Sequence, residues 1–500
     1  MTKVRNIILP TLILVGLLGL HSIAFAQHRG DQFGFQGLSS PQTNGVKALG
    51  MGGAYTSIGG DISSLFYNSA GLASIEGFSI SIAGDSYNKM WRENQVYRAN
   101  RQFVSLSFIL DGILIPDPAN NGLYDHDVFQ NDSTYVVNDP LLGEDNYSEK
   151  LADWERTTKA SELNSIAVGM PLNLMGKKLY LAGAYNKRYQ ILDYDRNHTY
   201  ITPHLGYFYY DGFIDRIEDP IDSTRVYWSD YERERTGNLS DITGAISMEL
   251  NESISLGAGF ALTTGETVDG GFLNRVGYFD LDAANSMMFS YDTLNTSTMG
   301  TSKFSAMSFN VSAMIELDAI SIGVRVNPGY TLKREWETTF VSDTAETSTF
   351  NGTDVMEIPM GFAVGISVQP KEYFRFSADL VKANYSGNKF TLAVEDSLFR
   401  SWPDQLIVGL GVEYKPVQWL SLLGGYRAQP ETFIPDGAAI EERGPIAESW
   451  TAGASIKLFF GYLDVAYEAR TLKYYDAYFS NTNFAMETLN NVSVGYRIAF

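Results

Sequence analysis

The residues best suited to acid–base or metal chemistry are five histidines: His21, His28, His126, His198 and His204. None stands in a His-Glu-x-x-His pair that would hold zinc on one helix face, and no Gly-x-Ser-x-Gly supplies a nucleophile turn. His198 and His204 share a segment with Asp193 and Asp195, yet no Ser, Cys or metal-ligand spacing singles them out. The chain therefore reads as a non-enzyme with no metal centre. Cysteine is absent, so thiol chemistry and disulfides are both excluded.

Two further clusters could bind without catalysing. The segment Asp111–Lys159 holds 11 acidic and 3 basic residues, among them Asp117, Asp125, Asp127, Asp132, Glu144 and Asp145. Such oxygens suit Ca²⁺, but their spacing does not reproduce an EF-hand loop, and a solvated acidic loop is the stronger reading. No cofactor is required. The segment Asp193–Thr236 is dense in aromatics, including Tyr194, Tyr200, Tyr227, Trp228 and Tyr231. It forms either an apolar capture groove with polar rims or an interfacial girdle. Tyr207, Phe208, Tyr209, Tyr210 and Phe213 are its ligand-binding candidates.

What positions these clusters is a ladder of strands. From Gly77 onward, segments of about ten residues alternate apolar with polar or small side chains, the dyad pattern of a membrane barrel. Phe309, Val311, Ala313, Ile315 and Leu317 oppose Ser308, Asn310, Ser312 and Glu316; Phe374, Phe376, Ala378 and Leu380 oppose Arg375, Ser377 and Asp379. Charges confined to one parity imply a wet interior. About 14 strands are expected, near 76–87, 162–172, 178–191, 238–250, 252–264, 303–317, 319–336, 354–368, 371–384, 403–415, 417–428, 447–459, 460–473 and 486–500. A fifteenth candidate, Gln102–Leu110, is assigned to an insertion in the first outer loop; 16 strands is the alternative count. The short turns fall on one side and the large loops, 88–161 and 192–237, on the other.

The ends place the barrel. Lys3 and Arg5 precede an apolar run from Ile7 to Leu20, then Ala24-Phe25-Ala26 and Gln27. That is a signal peptide spanning 1–26, cleaved after Ala26. No other window approaches the roughly 18 apolar residues a membrane helix needs. The fold class is thus all-β transmembrane: a closed antiparallel β-barrel in the bacterial outer membrane, its lipid the outer solvent. The last strand ends on Phe500, a terminus that resembles the signal read by barrel-assembly machinery. Formal charge is −21, which disfavours nucleic acid.

Between signal and first strand, residues 27–75, lie Gly45-Val46-Lys47-Ala48-Leu49-Gly50-Met51-Gly52-Gly53-Ala54-Tyr55, then Asp61, then Tyr67-Asn68-Ser69-Ala70-Gly71-Leu72. The Gly50, Gly52 and Gly53 cluster permits positive φ and close approach to a wall, and Asn68 suits a side-chain-capped turn. This stretch resembles the hatch of the FadL family and of the related PorV-type barrels, with Ser69 where the family has proline. The resemblance implies a 14-strand barrel with an N-terminal hatch inside the lumen. It also implies passage of hydrophobic compounds, long-chain fatty acids or hydrocarbons, captured among outer loops and moved through the wall. The carried-over hatch positions are Gly50, Gly52, Gly53, Asp61, Asn68, Ala70 and Gly71. A secretion role of the PorV type and a surface scaffold or adhesion barrel are the alternatives.

Overall fold

The computed structural model describes residues 41–97, 144–174, 177–204, 223–282, 287–394, 402–435, 443–477 and 481–499, with short pieces at Phe35, Gly37–Leu38 and in the outer connections. The alternating segments form fourteen wall strands. These are β1 (Ser79–Tyr97), β2 (Trp154–Leu174), β3 (Lys177–His204), β4 (Ser223–Asn251), β5 (Ile254–Asp282) and β6 (Met287–Glu316). Next come β7 (Ile320–Asn327, resuming Tyr330–Ser342), β8 (Ser348–Ile358, resuming Gly361–Lys371) and β9 (Phe374–Ala383, resuming Lys389–Thr391). The set ends with β10 (Gln405–Val417), β11 (Leu420–Pro430), β12 (Ile446–Leu458), β13 (Gly461–Ala477) and β14 (Asn481–Ala499). Each pairs antiparallel with its neighbours, and β1 closes on β14 from Ser79 opposite Ala499 to Tyr97 opposite Asn481. Closure leaves no sheet edge facing lipid, which is what lets so much backbone stand in hydrocarbon.

Side-chain parity follows the alternation. Ile242, Ile246, Leu256, Phe260, Phe309, Val311 and Ile315 face outward and are exposed, whereas Asp241, Ser247, Ser255, Thr263 and Ser312 face inward and are buried. The outward apolar run on β4 to β6 stops at Ser240, Thr264 and Ser305, which pair across one level. Above that level the strands continue. β5 has 29 residues, against the roughly 9–11 that cross a bilayer, so most of it stands clear of the membrane.

The outer segments are consequently more regular than the sequence suggests. β3 and β4 stay paired from Leu179–Met248 up to His204–Arg225, through most of the stretch read as a 192–237 loop. β1 likewise reaches Tyr97 and β2 begins at Trp154, inside the stretch read as 88–161. The reason is that a ladder above the membrane needs only backbone pairing; freed from lipid, its outer face turns polar and the apolar alternation that marks a strand disappears. Gln102–Leu110, Phe500 and residues 1–26 lie outside the described residues.

Ahead of β1, the N-terminal segment folds into two short helices, α1 (Val46–Gly50) and α2 (Ser64–Tyr67), and a 3₁₀ turn at Ser69–Leu72. Its buried residues pack on inward-facing wall residues: Val46 and Leu49 with Ala83 and Ala466, Ile62 and Leu65 with Ala167 and Tyr180.

Candidate ligand-binding site

Strand β3 carries an irregularity that organises the outer end of the lumen. Lys187 pairs with Ser240 and Tyr189 with Leu239, so Arg188 is an extra, unpaired residue. A bulge of this kind re-aims its side chain and bends the strand. Just below it the β2–β3 ladder ends, at Ser165 opposite Asn186. The Lys187 ammonium reaches Glu162 of β2 across the split. The two carbonyls at the bulge are taken instead by the N-terminal segment: Asn44 Nδ2 donates to Lys187 O at 3.0 Å and the Gln42 N–H to Arg188 O at 2.8 Å.

This docking carries Leu38 and Phe35 into the lumen, where they join Tyr189, Ile191, Leu239, Phe304, Leu332 and Met356 in one apolar cluster. The Phe35 ring lies 5.9 Å from Phe390 and 6.5 Å from Phe304. Around it the wall is broken twice at one level. β7 stops before Pro328-Gly329 and β8 before Pro359-Met360, with Tyr330 paired to Ile358 above and Asn327 to Gly361 below. Proline has no N–H for the ladder, so both strands interrupt there.

A small hollow of about 10 Å³ sits in the angle, closed by Leu38 and lined otherwise by apolar groups including Leu332, Met356, Ile358 and Trp402. One edge is polar. Arg188 donates through Nη2 to Tyr330 Oη at 3.1 Å and through Nη1 to Thr263 Oγ1 at 3.2 Å, and pairs with Asp241 at 3.4 Å. Thr263 in turn donates to Asp241 at 2.6 Å. Its lining, mostly apolar with a few convergent polar groups, has the chemical make-up of a small-molecule site, and Leu38 is the side chain that would have to move to enlarge it.

Below the cavity the N-terminal segment is fastened to the wall by charge and backbone contacts. Asp379 accepts from the N–H groups of Tyr55 at 2.9 Å and Thr56 at 2.7 Å. Lys47 pairs with Glu413 at 3.0 Å, and Asp61 with Arg497 at 2.9 Å. Burial raises the Asp61 carboxyl, but Arg497, Lys47 and two hydrogen bonds from Ser63 outweigh it and leave the group below its ordinary value. Burial lowers Lys47 despite Glu413, and raises the Tyr55 phenol, which Asp61 reinforces.

The sequence-selected positions fall as follows. Gly52 has φ +64, and a Cβ there would lie 2.7 Å from Leu410 O and 2.8 Å from Tyr426 N. Gly53 has positive φ; Gly50 lacks it and packs on Leu423 and Gly453. Asn68 caps the 3₁₀ turn through Ala70 N at 3.1 Å and donates to Thr56 O at 2.7 Å. Ala70 N also donates to Ser312 Oγ at 3.0 Å, and Gly71 packs on Gly59. All seven thus touch the wall or brace the segment, and none lines the cavity.

Tyr207 and Phe213 lie outside the described residues. Phe208–Tyr210 pairs with Ile214–Ile217 in a short hairpin. Asp125, Asp127 and Asp132 are also outside the described residues; Glu144 and Asp145 pair with Lys150 and Lys473. Among the described residues no three His, Asp or Glu side chains are grouped to hold a metal ion. No motif or alternation in the sequence marks the residues that line the cavity. The available signals were Pro328-Gly329 and Pro359 inside strand-like runs, and the Lys187-Arg188 pair that breaks the parity of β3.

Neither a protein-family model nor a curated protein matches the chain by sequence. Solved structures do match it by shape. A Pseudomonas aeruginosa FadL homologue superposes with a TM-score of 0.58 at 12% identity, covering 93% of this chain and 100% of that one. The fold is that of the FadL-type outer-membrane barrels. Two toluene transporters share this FadL-type fold. Pseudomonas putida TodX gives a TM-score of 0.53 at 11% identity and Ralstonia pickettii TbuX 0.52 at 12%, each covering 93% of this chain and 99% of the other.

Proposed function

We propose that the protein passes hydrophobic small molecules across the bacterial outer membrane, with the N-terminal segment acting as a hatch. The observation that carries this reading is the apolar cavity at the outer end of the lumen. It is lined on one side by Leu38 of the same chain and by Arg188 and Tyr189 of β3, just above the level where β2 and β3 part. Leu38 and Phe35 fill an apolar hollow as a ligand would, and the two hydrogen bonds from Gln42 and Asn44 that hold them are exchangeable for water. A hydrophobic ligand displacing Leu38 gains burial of roughly 25 cal/mol per Å² of its apolar surface. The toluene-transporter structures with this fold support the same class of cargo.

The test is binding of toluene to the purified protein in lipid nanodiscs, read by the fluorescence of Trp402 and confirmed by native mass spectrometry. The variant Ala306→Phe, which fills the cavity from β6, is expected to abolish binding while the barrel still folds. Equal binding by this variant and the natural chain would remove the cavity from the reading.

A further inference from the structure

We propose that Asp241 sets the charge selectivity of the cavity, which accepts uncharged hydrophobic ligands and rejects carboxylates. The inference rests on the reading that this cavity binds ligand, and it names the class.

Arg188 is the one charged side chain among the described residues lining the cavity. Taken alone it would invite an anionic head group. Its cation is already matched, however. Asp241 lies 3.4 Å from Nη1, is itself buried, and is held in place by the 2.6 Å bond from Thr263. Tyr330 and Thr263 occupy further guanidinium donors. Of the neighbouring cations, Lys187 pairs with Glu162, and Arg325, which donates to Phe66 O at 2.7 Å, has the buried Asp379 carboxylate as its opposing charge.

A carboxylate accepting from Arg188 would place its oxygens roughly 6 Å from those of Asp241, given ordinary charge-assisted bond lengths on either side of one guanidinium. At that separation, like-charge repulsion weakens binding by about 100-fold relative to the same site without Asp241, and so offsets most of the attraction to Arg188 while the carboxylate still loses its hydration. An uncharged ligand meets no such repulsion and keeps every apolar contact. The Arg188–Asp241 pair thus gives the hollow a polar edge with no net charge.

The experiment compares 1-decanol with decanoate at pH 8 by calorimetry on the protein in nanodiscs. These probes share a chain and differ in the head group. The natural protein is expected to bind decanol at least about tenfold more tightly. Asp241→Asn keeps the shape and removes the charge; it is expected to tighten decanoate by about 100-fold and to change decanol by less than about threefold. A merely structural role for Asp241 would move both ligands together. Decanoate binding as tightly as decanol to the natural protein, which needs no variant, would overturn the proposal, as would an unchanged ratio in Asp241→Asn. Failure of both probes to bind would overturn the underlying reading of the cavity instead, and the inference with it.

Discussion

Replacing Asp379 with alanine strips the N-terminal segment of its best-defined anchor. Asp379 sits on β9 facing inward, 3% exposed, and accepts from the Tyr55 and Thr56 N–H groups at 2.9 and 2.7 Å. Both donors are buried, and alanine leaves them without an acceptor. A hydrogen bond to a charged group contributes about 1.5–3 kcal/mol, so two lost together cost about 3–6 kcal/mol. That raises the ratio of undocked to docked segment by roughly 10² to 10⁴. The barrel wall should be untouched, because the β9 backbone stays paired with β8 and β10 on either side of Asp379.

The assay is ion conductance in a planar bilayer, paired with the rate of protease cleavage within residues 41–75. Conductance should rise and cleavage should accelerate, while the electrophoretic shift on heating still reports a folded barrel. Asp379→Asn, which retains an acceptor oxygen, should recover most of the difference. If Asp379→Ala conducts and resists cleavage like the natural protein, the segment is not held by this contact and the anchoring argument fails.

Gly52→Val introduces a side chain at φ +64 whose Cβ would stand 2.7 Å from Leu410 O; it should weaken docking by about 2–4 kcal/mol, seen as faster protease cleavage. For Asp61, whose pKa is depressed by Arg497 once burial is overcome, the stabilisation is full above the ordinary carboxylate value of 3.8 and is lost as pH falls through the lower docked value. Conductance should therefore rise only below about pH 3.8, and Asp61→Asn should abolish that dependence. Trp402→Phe should remove most of the fluorescence response to toluene while leaving binding by mass spectrometry intact, since Trp402 lines the cavity. Deleting Phe500 should lower the yield of assembled barrel without changing its thermal stability; an unchanged yield would remove it as an assembly signal.

The sequence by itself determined the wall. A strand's two faces are set by residue parity, and in lipid that parity must be apolar outside, so Phe309, Val311 and Ile315 or Phe376 and Leu380 announce both the strand and its orientation. The same local logic accounts for the positive φ of Gly52 and Gly53 and for the turn capped by Asn68, whereas Gly50 ends a helix. Only the tertiary structure decided the cavity. Arg188 points into the lumen because β4 offers it no partner, a fact of register between residues some fifty positions apart. Leu38, Asp241, Tyr330 and Trp402 meet through the closure of the barrel and the docking of a segment from the opposite end of the chain. Above the membrane the outer solvent is water, so parity no longer has to be written in hydrophobicity. There the long β3–β6 ladder shows itself in its backbone pairing alone.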